Sequence, residues 1–473
     1  MKPILLLALL SFTVVLAGFG PHVRIDHQYD PAGRCHWEAI TVGPSAGTGQ
    51  PLYVVFEYDS ALIGWRADIM FQKSTDAGRT WLPADVVAAH GDPGAVNPDI
   101  ATDRDGNIFV SYNDGIDTSK HVYCVRSTDG GATWSSPARV DDKTSGGIGL
   151  SRVTADSAGN LLCAWNDGRT GWFHIWSSVS TDRGATWRQN VLVDDDTVHD
   201  ICAQPDVFVQ PGTNHYLVAA QAPCPDGHLG CYLYRSTDLG QTFEPGVQLD
   251  TLDYAGQPHV VADVQCVICN YTGNGVGSWA RTLYTQPDTW GSPYFVGQSY
   301  VNGAKLAISA DGRAHTALMD GRSGLYLISY AFSSDQGVSW SDPGYVNDDT
   351  TAEAYDPDIA VDSAGHAYIV WRDYQSDEIW FATNDPAGIA EQPVPQSAGL
   401  RPSPTVVRGV LFLPTATSPK LQAASLLDIS GRQVVALKPG ANDVSRLSPG
   451  VYFVREAQAQ AQAQALRKVV ITK

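Results

Sequence analysis

Ser74-Thr-Asp-Ala-Gly-Arg-Thr-Trp81 is a phrase that this chain repeats. It returns as Ser127-Thr-Asp-Gly-Gly-Ala-Thr-Trp134, Ser180-Thr-Asp-Arg-Gly-Ala-Thr-Trp187, Ser236-Thr-Asp-Leu-Gly-Gln-Thr-Phe243 and Ser333-Ser-Asp-Gln-Gly-Val-Ser-Trp340. A worn sixth copy, Thr285-Gln-Pro-Asp-Thr-Trp290, fills the one gap, so the closing aromatics fall 53, 53, 56, 47 and 50 residues apart. Self-similarity at a steady period marks a chain built from one supersecondary unit used over and over.

The second unit shows the internal order best. Pro98 to Asp103 predicts strand A, Asp105-Gly-Asn107 a tight turn, Ile108 to Asn113 strand B, and His121 to Ser127 strand C. After the repeated phrase, Trp134 to Val140 predicts strand D. Four antiparallel strands per repeat make a propeller blade, and 45 glycines with 28 prolines suit its many turns. Six full units run over 36–90, 97–143, 150–196, 203–250, 256–298 and 303–349, while Pro357 to Asp385 supplies only A, B and C. His22-Val-Arg-Ile-Asp-His27 resembles the D strand Ala138-Arg-Val-Asp-Asp142 and is expected to complete the last blade, which removes an open sheet edge. The expectation is an all-β chain of seven blades, with six as the alternative.

Within the phrase, Asp accepts hydrogen bonds from turn amides, Gly supplies a positive φ and the aromatic packs beside the next sheet. Ser74, Asp76, Gly78 and Trp81 are therefore read as structural, as are Ser127, Asp129, Gly131, Trp134, Ser180, Asp182, Gly184 and Trp187. Ser236, Asp238, Gly240, Phe243, Ser333, Asp335, Gly337 and Trp340 take the same role.

The phrase resembles the Asp-box, or BNR repeat, of sialidase-like propellers, and the resemblance spans residues 21 to about 390. That superfamily includes sialidases, other glycoside hydrolases and binding proteins, so fold alone does not set function. The resemblance implies either a glycoside hydrolase acting on extracellular glycans, exo-sialidase-like if so, or a surface propeller that binds glycan or protein without turnover. The sialidase Arg-Ile-Pro motif has no counterpart, since Asp26 follows Arg24-Ile25. Nor can the family's Tyr nucleophile with its partner Glu be placed: Tyr254 and Tyr355 lie near D–A loops, and Glu353 is the only close Glu. The catalytic residues stay unassigned.

Residues 389–404 read as a linker, in a stretch where Pro386, Pro393, Pro395, Pro402 and Pro404 recur. After it come three short strand-like segments, Leu426 to Val434, Leu447 to Phe453 and Arg467 to Lys473. In that order they are similar to the C-terminal sorting domain of type IX secretion, a small β-sandwich-like module expected over 405–473. The resemblance implies that type IX secretion machinery is a partner. Lys2, the apolar run Ile4 to Leu16 and the small residues Ala17, Gly18 and Gly20 have the layout of a signal peptide over 1–20. A secreted or cell-surface protein, delivered through the periplasm, is expected. No later run is long and apolar enough to suggest a membrane span in the mature chain.

A net charge of -19 opposes nucleic acid, whose phosphates call for clustered Lys and Arg. Hydrophobic residues at 43% suffice for a sizeable core. Eight cysteines in an oxidising compartment make disulfides plausible, and Cys224 with Cys231, flanking Pro225-Asp-Gly-His228, is the expected pair. Cys266-x-x-Cys269 has no second half and is read as two buried strand thiols; no metal and no cofactor are assigned, and calcium in the Asp-rich loops is left open, with no ordered ligand spacing there.

Antiparallel order puts the boxes on one rim and the B–C and D–A loops on the other. There Asn166-Asp167-Gly168-Arg169, Asp320-Gly-Arg322 and Arg372-Asp373 recur, with Asp141-Asp142, Asp194-Asp-Asp196 and Asp348-Asp349 beside them. Arg169, Arg322 and Arg372 are candidates for a clamp on a substrate carboxylate, with Asp167, Asp320 and Asp373 as neighbouring acids. The competing reading is that each Arg ties down its own loop.

Overall fold

The computed structural model describes residues 18–26, 34–45, 49–59, 67–88, 94–115, 120–194, 202–252, 254–273, 277–285, 288–297 and 303–386, with further stretches between 405 and 471. The leader-like segment 1–17 and the linker 389–404 lie outside the described residues. The chain divides into two compact units, Met1–Glu391 and Gln392–Lys473.

The first unit is a seven-bladed propeller. Blade 1 takes strands Arg34–Val42, Leu52–Asp59, Ala67–Ser74 and Asp85–Ala88, paired in that order. Blades 2, 3 and 4 repeat the order from Ala95–Thr102, Ile148–Ala155 and Ala203–Val209 as their A strands. Blades 5, 6 and 7 do so from Ala255–Ala262, Ala304–Ile308 and Ala354–Val361. The B strands are buried on both faces, as Leu161–Asp167 shows, because each sheet is covered by a blade on either side. The last blade is completed by Val23–Arg24, with Val23 opposite Phe381 and Arg24 opposite Trp380. Ile25, fully buried, extends this seam into a core shared with Phe56, Tyr368 and Phe381.

The five clear boxes share one geometry. In the second, the Ser127 hydroxyl donates to Asp129 at 2.7 Å and accepts from Gly131 N–H at 2.8 Å. Asp129 also takes the Thr133 N–H at 2.9 Å and its hydroxyl at 2.6 Å. Gly131 has φ 85°, and a Cβ there would lie 2.2 Å from a ring carbon of Phe71. The aromatic therefore packs on the preceding blade rather than the next one: Trp134 meets Phe71 and Trp81 meets Phe381, each edge-on at 5.1 Å.

Two expectations are corrected. The worn copy is not a box turn: Asp288–Trp290 is a strand paired with Gly277–Thr285, whose end is also joined by Tyr294–Gly297. The pairing of Cys224 with Cys231 does not form, and both are free thiols. The hairpin sets Cys231 opposite Gln221, while Cys224 bonds across to His228, so the two sulfurs are out of register.

The second unit is a β module with a five-stranded sheet, in which Thr405–Val407 lies parallel to Leu466–Ile471. Gly450–Glu456 and Ala424–Leu427 continue that sheet to Gln433–Leu437. A separate pair, Val410–Leu413 with Gly440–Asp443, completes it, and Leu411, Leu426, Leu437, Val444 and Val454 form its core.

Candidate functional site: the central pocket

Six of the seven A strands slip register once, at equivalent places: between His36 and Ala39, Val96 and Asp99, Ile148 and Ser151, Ala203 and Asp206, Gly256 and His259, and Tyr355 and Asp358. A bulge of this kind bends a strand and re-aims its side chains. Five bulges hold a non-glycine residue at positive φ: Trp37, Asn97, Gln204, Gln257 and Asp356, all between 51° and 54°. Proline follows four of them, at a position where the ladder needs no N–H. The bulges form a ring at the propeller axis, and the pocket they enclose has a volume of about 100 Å³.

One residue beyond the bulge stands a second ring: Ala39, Asp99, Arg152, Asp206, His259, Lys305 and Asp358. Its three aspartates each accept the N–H of the following blade, from Val153 to Asp99 at 2.7 Å, Val260 to Asp206 at 2.9 Å and Ile40 to Asp358 at 2.8 Å. Burial lifts Asp99 to about 6 against the pull of Arg152, and raises Asp358 against the pull of Lys305. His259 falls to about 4 through burial and the nearby Lys305 cation. Burial opposes ionisation of Asp206 too, but His259 beside it, 3.4 Å away, holds it below the usual carboxylate range. These carboxylates fasten blade to blade.

Other lining groups have no such duty. Glu38 is only 7% exposed, and neither of its carboxyl oxygens finds a partner on another residue. Burial, with Asp356 and Asp358 near, pushes it well above the ordinary range. Gln257 Oε1 and Arg152 Nε are likewise buried without partners. Beside them Trp37 is 45% exposed and lines the same pocket. Leaving a buried polar group unpaired is expensive, so a cluster of such groups points to a site completed by something else.

A polar residue just before the end of strand B forms an outer latch. Glu57 accepts Asn97 N–H at 3.2 Å, Gln221 donates to Ala255 O at 2.8 Å and Asn113 donates to Gly149 O, each on the following blade. Arg372 occupies this position in blade 7, where its Nη1 meets His36 Nδ1 at 2.7 Å. Its Nη2 lies 3.4 Å from Asp356.

The three arginines do not converge. Arg169 gives Nε and Nη2 to Asp167 at 2.7–3.0 Å, Nη1 to Asp142 at 2.6 Å and Nη2 to Asn190 at 3.0 Å, with its guanidinium over Trp176. Arg322 binds Asp320 through Nε at 2.8 and 2.9 Å and Pro343 O at 3.0 Å, over Tyr345. Asp167, Asp320 and Asp373 are equivalent, each ending strand B, so Arg169 and Arg322 lie two residues after it and Arg372 one before. Only Arg372 approaches the pocket, through Asp356. Asp373 accepts from Gln375 N, Ser376 N and Ser376 Oγ, each at 2.9 Å, and so shapes its own loop.

The D–A acids are also architectural. Asp141 accepts Val122 N–H at 2.9 Å, Asp250 accepts Cys231 N–H at 2.7 Å and Asn347 accepts Ile328 N–H at 3.0 Å. Asp194 does the same for Ile175, while Asp195 and Asp196 lie outside the described residues. Tyr355 sits 3.5 Å from Glu353, and its phenol is pushed up to about 12 by burial, the reverse of an activated nucleophile. Tyr254 is exposed. Cys266 and Cys269 are buried free thiols three residues apart on one strand, so they face opposite sides of the sheet.

Among the described residues, two groups bring three ligating atoms within 4.8 Å, namely His174, Asp194 and Cys202, and Asp362, His366 and Asp385. Hydrogen bonds account for both. His174 Nδ1 is 2.8 Å from Asp194, His366 Nδ1 is 2.9 Å from Asp362, and the Tyr368 hydroxyl lies between Asp362, at 3.0 Å, and Asp385, at 2.7 Å.

Residues 66–275 match the BNR repeat-like domain family. The propeller carries a BNR repeat-like domain. A search of curated proteins found no match. Among solved structures, the BNR propeller is similar to a protein of unknown function from Dyadobacter fermentans (14% identity, 77% of this chain and 97% of that one, TM-score 0.49). It is also similar to the NanB sialidase of Streptococcus pneumoniae (10% identity, 77% and 97%, TM-score 0.45). The α-L-arabinanase of Penicillium chrysogenum is a third (14% identity, 78% and 96%, TM-score 0.46).

Proposed function

We propose that the chain is an exported propeller whose central pocket takes a glycan, and that glycoside hydrolysis is its activity. The observation that carries the reading is the set of unpartnered buried polar atoms on Glu38, Arg152 and Gln257 around one pocket, next to the exposed ring of Trp37. A sugar offers the matching chemistry: hydroxyls that donate to Glu38 and Gln257 and accept from Arg152, and an apolar C–H face for an indole. Asn97 and Gln204 add amides at the same level of the ring. The test is titration of the full chain with a panel of oligosaccharides, read by tryptophan fluorescence, alongside a panel of fluorogenic glycosides. Trp37→Ala is expected to weaken binding at least tenfold with the fold intact. Saccharide affinity that does not change in Trp37→Ala would count against the pocket.

A second reading, binding without turnover, is favoured by one fact: Asp99, Asp206 and Asp358 are all committed to backbone N–H groups. Export is supported by the leader-like Lys2 to Gly20 and by the three C-terminal segments similar to a type IX sorting domain. On this reading, a chain lacking 401–473 folds but stays in the periplasm, and fractionation of cells would show it.

A further inference from the structure

We propose that Glu38 is the general acid, and Asp356 the carboxylate that activates water, in a glycoside hydrolysis carried out in the central pocket. This deepens the reading of the pocket as a saccharide site and rests on it.

Of the acids in and around the pocket, two are already committed. Asp99 and Asp358 each hold a backbone N–H of the next blade, and withdrawing either would unfasten two blades. Glu38 has no such partner, although it is over nine-tenths buried and lines the pocket. Asp356 stands on the bulge of blade 7, adjacent around the ring to the blade 1 bulge that carries Trp37 and Glu38, and its side chain is about a third exposed. The groups facing Glu38 are Asp356, Asp358 and Arg372 from the last blade and His36 on its own strand, with Asp99, Arg152, His259 and Lys305 elsewhere around the axis. Among them Arg372 lies against Asp356, at 3.4 Å, and opposes the rise that burial imposes on that carboxyl. Burial favours the protonated form of Glu38. A buried carboxyl without a partner and a neighbouring one paired to an arginine can divide acid and base roles.

In the step, the Glu38 proton passes to the glycosidic oxygen as the bond from that oxygen to C1 breaks, and the bonding electron pair stays on the oxygen. Water forms the new bond to C1 while its proton goes to Asp356. The products are an alcohol and a hemiacetal, with Glu38 left as carboxylate and Asp356 as acid until solvent exchanges their protons.

The test uses the full chain and two leaving groups. From a panel of 4-methylumbelliferyl glycosides, the one turned over fastest is compared with its 2,4-dinitrophenyl counterpart, whose leaving group needs no acid. Glu38→Gln is expected to lose about 100-fold or more in kcat on the first and far less on the second. Asp356→Asn is expected to slow both. Equal losses of Glu38→Gln on the two substrates, with an unchanged melting temperature, would overturn the assignment. Should Glu38→Gln melt lower, Glu38→Asp serves as the second variant, and the same ratio of leaving groups decides. A chain that binds sugars but hydrolyses none of the panel overturns this proposal and leaves the binding site standing, whereas a chain that binds none overturns both.

Discussion

Asp129 shows how much a single carboxylate does in this fold. The Thr133 hydroxyl and N–H and the Ser127 hydroxyl hold it down to about 2, and Asp182 and Asp238 also reach about 2, against the desolvation of their partly covered sites. Asp76 and Asp335 are lowered as well. In the unfolded chain these groups take up protons near pH 4, in the folded one at lower pH, near 2 for Asp129, Asp182 and Asp238, so the boxes stabilise the fold above pH 4 and release that stability as pH falls through the lowered values. Melting temperature should therefore drop steeply between pH 4 and pH 2, and Asp129→Asn should shallow the slope. Ser127→Ala, which strips two hydrogen bonds from a buried hydroxyl, is expected to cost about 1–2 kcal/mol by denaturant titration. Arg169→Ala should cost more, about 3 kcal/mol, because it leaves the fully buried Asp167 without its cation. Its sugar affinity should be unaffected, which a parallel binding titration would check.

At the scale of elements, the C–D turn and the A-strand bulge were not equally legible. The box demands a left-handed glycine, an acceptor over the turn and a flat side chain against the preceding blade, so three residue types recur at fixed spacing and give it away. The bulge leaves a weaker trace. Asn97-Pro-Asp99, Gln204-Pro-Asp206, Gln257-Pro-His259 and Asp356-Pro-Asp358 are visible once aligned, but a proline reads first as the start of a strand. Blade 1 has Trp37-Glu38-Ala39 there, without the proline, so the residue now placed at the centre of the chemistry carried no signal of its own. The arginines misled because Asp-Gly-Arg and Arg-Asp look alike as text, although strand register puts their guanidinium groups on opposite sides of the shared aspartate. The closing strand was legible from its likeness to a D strand. Ile25→Ala, at its buried end, is expected to cost about 2–5 kcal/mol in urea unfolding, as for other large-to-small changes in a packed core.

For the molecule as a whole, two compact units imply two melting events. The propeller, Met1–Glu391, should melt at the same temperature alone as within the full chain, a comparison for scanning calorimetry. No helix among the described residues is long and apolar enough to cross a membrane.

The seam where Arg24 meets Trp380 has a further consequence for how the molecule comes into being. Among the first described residues to leave the ribosome are some of the last to find their place, since the partner of Val23–Arg24 is the final strand of the ring. Until that strand arrives, six blades can stack but the circle stays open, with two unpaired borders ready to adhere to another copy. Contacts this distant along the chain are slow to form. The same belated fastening makes the finished ring hard to peel from either end, because loosening one terminus must first undo the work of the other.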